Sequence, residues 1–267
     1  MKDRALQLAG EASQGQQRNV LREYLQAHVL YSLQSVRAFE RIAFVGGTAL
    51  RLLFGLPRYS EDLDFFLEHA EGYSFGRLLG RVESDLANAG FDVTIHPHAG
   101  EPIHSAFVRL PGLLYEAGLS PHRTEKLSVK IEIDTCPPAG ATTTTTLINR
   151  HFLLALLHYD IPSLMAGKLH ALLSRPYTKG RDVYDLLWYL ARPDCANPNV
   201  PLLQNALAQT GWNGPQVTAE NWREVIADKV VELDFAKMAE DVGPFLERLE
   251  DRALLTREIV LSALRQA

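Results

Sequence analysis

Residues 44–67 read FVGGTALRLLFGLPRYSEDLDFFL, and this stretch decides the fold. It closes a short apolar run (Ile42 to Val45), passes the glycine pair Gly46 and Gly47, and continues as a helical pattern through Ala49, Leu52 and Leu53. Pro57 stops that helix, and residues 62–68 read as a strand. Asp62 and Asp64 are two apart, so on a strand both side chains leave the same face, roughly 6–7 Å apart. Like charges at that spacing are unfavourable unless a cation sits between them. Mg²⁺ suits the place, because it combines one or two carboxylates with phosphate oxygens and water. The glycine turn offers backbone N–H groups at a helix N-terminus, where phosphates bind. Each half alone is common: most DxD pairs are solvated edges, and most GG pairs before a helix are tight turns. The joint order of strand, Gly46-Gly47, helix, Ser60-x-Asp62-x-Asp64 and strand is far more specific.

Working outward, residues 3–40 read as helical, with Leu21, Tyr24, Leu25, Val29 and Leu33 near helical spacing. A helix over 74–89 and strands over 91–97, 103–110 and 127–134 follow the quoted stretch. LSVKIEID alternates cleanly, with Leu127, Val129, Ile131 and Ile133 on one face and Ser128, Lys130, Glu132 and Asp134 on the other. Pro137, Pro138, Gly140 and the threonine run 142–146 read as a low-complexity break. After it the chain reads as almost wholly helical, with candidates at 161–175, 181–191, 199–209, 218–229, 234–249 and 252–265. The expected organisation is a catalytic core over 1–140 and a mainly helical domain over 141–267 that completes the active site.

With 267 residues, 46% hydrophobic and 22% charged, the chain is ordinary globular material. Its net charge of −5 argues against a broad basic coat for nucleic acid, though not against a local basic groove. No apolar run reaches membrane-spanning length, and the polar start carries no signal-peptide core, so no membrane partner and a cytoplasmic location are expected. Cys136 and Cys195 suggest neither a disulfide framework nor a zinc site. His96, His98 and His104 lack a frame for ligation, while His151, His158 and His170 read as packing or surface residues.

FVGGTALRLLFGLPRYSEDLDFFL, VKIEID and LMAGKLHALLSRPYTKGRDVYDLLWYL together resemble the AbiEii/MenT-type nucleotidyltransferases, toxins of bacterial toxin–antitoxin systems, over roughly residues 40–190. The resemblance implies an α/β (α+β) polymerase-β-like nucleotidyltransferase core with a helical C-terminal domain, Mg²⁺ and an NTP. It further implies transfer of a nucleotide, a pyrimidine by preference, to the 3′ end of a tRNA acceptor, with a cognate antitoxin protein as partner. Asp62 and Asp64 are then the metal ligands, and Gly46, Gly47, Thr48 and Ser60 belong to the nucleotide-binding set. Glu132 ranks above Asp134 as a third acid, since relatives usually carry an acid there, although a half-exposed strand with alternating charge is the plainer reading.

Lys168 interrupts an apolar helical stripe of Leu164, Met165, Leu169, Leu172 and Leu173, which is costly unless its ammonium finds a partner or snorkels out. A triphosphate would be such a partner. Asp182 sits at the edge of the stripe Val183, Leu186, Leu187 and Leu190, and reads as an inward acid orienting Lys168. Asp185 points away from that stripe and reads as an exposed ion-pair partner. Arg175, Lys179 and Arg181 form a basic cluster that is either a solvated face or a contact for triphosphate or RNA phosphate. Two rival readings remain open: nucleotidylation or phosphorylation of a protein (an antitoxin or the chain itself), and a catalytically silent binding protein of the same fold.

Overall fold

The computed structural model describes residues 1–193 and 197–266, so Cys195 lies outside the described residues. By its contacts the chain divides into two units. The first comprises Met1–Gly55, Tyr59–Pro137 and Thr144–His158; the second comprises Leu56–Arg58, Pro138–Thr143 and the chain from Tyr159 onward.

The first unit contains α1 (Lys2–Glu11), α2 (Gln17–Ser35), β1 (Ile42–Val45), α3 (Gly46–Phe54), β2 (Asp62–Leu67), α4 (Phe75–Asn88), β3 (Thr94–Ala99), β4 (Ile103–Pro111), α5 (Leu113–Glu116), β5 (Lys126–Asp134), β6 (Thr143–Asn149) and β7 (Leu153–Tyr159). Its seven strands form one mixed sheet in the order β3-β4-β5-β2-β1-β7-β6. β1 runs antiparallel to β2, whereas β2 and β5 are parallel neighbours at the centre. The alternation of β5 is realised: Leu127, Val129, Ile131 and Ile133 are buried, and the polar set between them is half-buried. Those apolar side chains join Leu21, Leu25 and Val29 of α2, Leu78, Val82 and Leu86 of α4, and Leu63 and Phe65 of β2 in one core. Burying such side chains contributes about 1.5–3 kcal/mol each, which fixes the central strands against α2 and α4.

Two expectations are corrected here. The helical segment 3–40 is two helices with a short 3₁₀ turn at Ala38–Glu40. The threonine run is strand β6 rather than a loop, and β7 follows it in a segment to which the sequence reading assigned no element. β-Branched threonines favour extended backbone. β7 went unread because its outward positions Leu153 and Ala155 are as apolar as its buried Leu154 and Leu156, which erases the period-two contrast.

The second unit is helical: α6 (Ile161–Ser174), α7 (Gly180–Leu190), α8 (Val200–Gln209), α9 (Trp222–Val231), α10 (Phe235–Val242) and α11 (Arg257–Gln266). Asp160 caps α6 by accepting from the Ser163 N–H at 2.9 Å. The helix expected over 234–249 stops at Val242, because Gly243-Pro244 follows and proline both lacks an N–H and disfavours helix before it. A 3₁₀ turn at Leu249–Leu254 takes the start of the last expected helix, so α11 begins at Arg257.

Candidate active site

In the sheet unit the GG turn and the DxD strand are built against each other. Val45 pairs with Asp64 across the β1–β2 ladder, which sets the carboxylate beside the turn. Gly46 has φ +78°, a left-handed conformation open chiefly to glycine. A Cβ there would stand 2.2 Å from Asp64 Oδ2, so the turn makes room for the carboxylate only because it lacks a side chain. Gly47 is buried behind it at the start of α3. The Thr48 hydroxyl is fully buried and donates to the Asp62 carbonyl, tying the first turn of α3 to the start of β2. Gln26 donates through Nε2 to the Ser60 carbonyl at 3.0 Å, which holds the approach to β2 from the side of α2. Asp62 and Asp64 are half-buried while Leu63 and Phe65 point into the core, so both carboxylates share one face.

Parallel pairing with β5 adds a second column of charges to that face. Asp62 lies opposite Lys130, and Asp64 lies opposite Glu132. The Lys130 ammonium is bonded to the Glu132 carboxylate. Burial works against the Lys130 charge, but Glu132 first, then Asp62 and Asp64, outweigh it and hold its pKa above the ordinary lysine value. Glu132 is thus beside the DxD pair, as the third-acid reading requires, and already carries an ion-pair partner. Asp134, the lower-ranked alternative, accepts from the Cys136 backbone N–H at 2.8 Å, an interaction local to the strand end.

These residues fit a Mg²⁺ ion. Asp62 and Asp64 offer hard oxygen donors on one face, and the glycine turn lets the Asp64 carboxylate sit against the backbone where any Cβ would displace it. Among the described residues no three His, Cys, Asp or Glu side chains converge as a ready cage. Two carboxylates completed by phosphate and water are the set that Mg²⁺ ordinarily takes.

The helical unit contains a second charged cluster. Arg58, one residue after Pro57, is 1% exposed and donates through Nε and Nη2 to the two oxygens of Asp185, each at 2.6 Å. Lys168 Nζ lies 2.7 Å from Asp185 Oδ2 and 3.4 Å from Asp182 Oδ1. The other Asp182 oxygen accepts from Arg175. Three cations therefore stand around these two carboxylates. Burial opposes ionisation of Asp185, yet the Arg58 guanidinium and then Lys168 prevail and hold its pKa below the usual carboxylate range. Gly180 fixes the start of α7: its N–H donates to Asp241 Oδ2 at 2.7 Å, and a Cβ would stand 2.0 Å from the Met238 carbonyl oxygen.

The reading of Asp185 as an exposed surface acid is overturned, since it is fully buried. α7 is enclosed on more than its apolar stripe, with Asp182 and Tyr184 also buried, so distance from the stripe did not mean exposure. Asp182 reaches Lys168 as expected, but Asp185 is the closer partner. The usable signal was the pair of acids three apart in RDVYD, which on a helix share a face. Arg58 carried no such signal. Of the basic cluster, Arg175 joins Asp182, Lys179 sits just before α7, and the Arg181 guanidinium lies over the Phe245 ring at 4.4 Å. Among the histidines, His158 is buried and bonded to Thr146 Oγ1 at 2.8 Å, while His104 stacks on Tyr73.

No curated protein matches the chain. Two solved structures share its fold at a TM-score of 0.54 each. One is a protein from H. pylori assigned as a nucleotidyltransferase, 22% identical, aligned over 96% of this chain and 97% of its own. The other is JHP933 from Helicobacter pylori, 21% identical, aligned over 93% and 92%. The family model for the nucleotidyl transferase AbiEii toxin of type IV toxin–antitoxin systems matches residues 28–257. With that match spanning the GG turn, the DxD strand, β5, α6 and α7, the chain belongs to the AbiEii nucleotidyl transferase toxin family and is a nucleotidyltransferase.

Proposed function

We propose that this protein is the toxin of a toxin–antitoxin system and transfers a nucleoside monophosphate from an NTP to the 3′ end of a tRNA with Mg²⁺ as cofactor. The observation that carries the reading is the Asp62–Asp64 pair set on one strand face against the side-chain-free Gly46 turn. Asp62 and Asp64 would hold the Mg²⁺, which supplies Lewis-acid stabilisation of charge on the phosphoryl oxygens. The backbone N–H groups of Gly46, Gly47 and Thr48, with Ser60, would hold the β- and γ-phosphates. Glu132 would take the proton of the acceptor hydroxyl as its oxygen attacks the α-phosphorus. A new phosphoester forms, the α–β phosphoanhydride breaks, and pyrophosphate leaves. Lys168, oriented by Asp182 and Asp185, would neutralise triphosphate charge, which is most of what such chemistry asks of a protein. Arg175, Lys179 and Arg181 would contact triphosphate or RNA phosphate. A pyrimidine NTP, a cognate antitoxin and action in the cytoplasm, where NTP and tRNA occur, follow from the family resemblance.

The test is incubation with Mg²⁺, each labelled NTP in turn, and total tRNA or cell lysate. Label entering RNA, lost on addition of a chelator, is the expected result. Label entering protein would replace the acceptor by a polypeptide, and no label with any nucleotide would make the chain a silent binding protein.

A further inference from the structure

Helix α2 is buried over most of its length, chiefly through apolar side chains. Among them stand Glu23 and Gln26, 5% and 1% exposed, three apart and so on one face of the helix. Polar groups buried in this way are costly unless hydrogen-bonded, and the bonds of both lead to one stretch of chain. Gln26 donates through Nε2 to the Ser60 carbonyl at 3.0 Å. The Glu23 carboxylate accepts from Arg51 of α3, itself buried, whose guanidinium lies 3.8 Å from the centroid of the Tyr59 ring. Arg22, beside Glu23 on the helix, reaches Glu61 at 3.2 Å. Tyr59, Ser60 and Glu61 are thus each gripped from α2, directly or through Arg51. Polar residues that merely anchored a helix could bond anywhere along it; these converge on the three residues before Asp62.

That stretch is where the chain returns to the sheet. Leu56–Arg58 belong to the helical unit, in which Arg58 is bound by Asp185, and Tyr59 is the first residue back in the sheet unit. Any displacement of the 56–58 segment would pass along the backbone to Asp62 unless residues 59–61 are held. We propose that Gln26, supported by Glu23 and Arg51, is a latch that holds this return segment and so keeps Asp62 in place for metal binding and nucleotidyl transfer. This rests on the reading of Asp62 and Asp64 as the metal ligands. Gln26 acts through the Ser60 carbonyl and is a positioning residue. Misplacing a catalytic group by as little as about 1 Å can cost on the order of 10²-fold in rate, so a single hydrogen bond at this point has leverage beyond its share of stability.

A latch and a plain structural contact differ in what the folded enzyme does. Gln26→Met keeps the length of the side chain and deletes its donor; Gln26→Glu serves if the Met variant does not fold. Val29→Ala removes core packing from the same helix and is the control for lost stability alone. Binding of Mn²⁺ alone is followed by electron paramagnetic resonance, as loss of the free-ion signal, on the whole chain and its folded variants, with Asp64→Ala marking the site. Transfer kinetics and denaturant unfolding are measured on the same samples. Gln26→Met is expected to weaken Mn²⁺ binding and lower kcat by about tenfold each. Val29→Ala should unfold more easily than wild type yet keep both within twofold. Gln26→Met with wild-type Mn²⁺ affinity and kcat would reduce Gln26 to a structural contact, while the metal reading of Asp62 and Asp64 stands. Equal losses in Val29→Ala would overturn the latch as well, since lost stability alone would then explain them. A wild type that holds no Mn²⁺ abolished by Asp64→Ala overturns the metal reading and, with it, a latch for a metal ligand.

Discussion

The carboxylates of the sheet unit are placed by backbone register, whereas the cations of the helical unit are placed by one another. Asp62, Asp64, Lys130 and Glu132 share a face because the β2–β5 ladder alternates, and Asp64 fits its turn because Gly46 has no Cβ. Changing one of those side chains leaves the strands in place. In the helical unit Arg58, Asp185, Lys168, Asp182 and Arg175 form a chain of alternating charge, two of whose members are fully buried. There a single deletion strands the neighbours in a medium of low dielectric constant. The first cluster should therefore yield function without stability when mutated, and the second should yield both together.

The largest expected effect sharpens the first half of that contrast. Asp64→Ala, or Asp62→Ala, should lower nucleotide transfer by roughly 10³-fold or more, since each removes a ligand of the ion that stabilises the transition state. The melting temperature should stay near wild type or rise, because one of two adjacent like charges is relieved. Single-turnover assays beside thermal unfolding decide it; near-wild-type transfer in either variant would remove that carboxylate from the metal site.

Arg58→Met tests the second half. Deleting one partner of a buried pair typically costs about 3–5 kcal/mol, and denaturant unfolding should show a loss of that order. Acidification should act on the same pair. The folded pKa of Asp185 is depressed, so its contribution is fully present above the unfolded value of about 3.9 and is lost as pH falls through the lower folded value. Wild type should thus lose stability from roughly pH 4 downward, and Asp185→Asn should flatten that part of the curve. An unchanged acid limb in Asp185→Asn would mean that the pair is not what holds the helical unit at low pH.

How far each cluster could be read beforehand follows from the same difference. The register-built site was legible, because Gly46-Gly47, Asp62-x-Asp64 and the alternation of 127–134 state local geometry directly. The ion-pair site was half legible. Lys168 betrayed itself by interrupting the stripe Leu164–Leu172, and Asp182 by its place at a stripe edge. Asp185 and Arg58 did not, since their burial depends on contacts between segments 127 positions apart. β6 and β7 escaped for another reason: threonines with no apolar partner face, then a run apolar on both faces, give periodicity nothing to detect.

Lys168→Met comes next in size. It keeps the length and apolar packing of the stem and removes the charge, so a merely snorkelling lysine would tolerate it. A triphosphate cation should lose about 10²-fold in transfer rate, NTP affinity or both. Because Lys168 lies against Asp185 and Asp182, stability should fall as well, unlike in Asp64→Ala. Lys168→Arg should recover part of the loss, as its fork carries charge in a different shape. Wild-type kinetics for the Met variant would pass the phosphate contact to Arg175, Lys179 or Arg181.

The smallest effect concerns Thr48, where the two modes of construction meet in one side chain. Its hydroxyl could face a phosphate, as the sequence reading allowed, or serve the frame. It is fully buried and donates to the Asp62 carbonyl, so the frame has the better claim, and only its backbone N–H remains suited to the phosphates. Thr48→Val keeps the shape and removes the donor. The Asp62 carbonyl is then left without that partner, at a cost of about 1 kcal/mol. Thr48→Ser keeps the hydroxyl and loses a methyl group, so its hydrogen bond survives. A framing role predicts reduced stability in the Val variant with KM for the NTP within about twofold of wild type. Any fall in kcat should then track a small displacement of Asp62, and the Ser variant should restore it. A phosphate contact predicts the reverse pattern: KM rising severalfold in Thr48→Val, restored in Thr48→Ser, with unfolding unchanged. Measuring unfolding and KM on the same two variants separates these outcomes. The second pattern would show that the turn uses a side chain as well as its backbone, which would narrow the contrast between the two clusters.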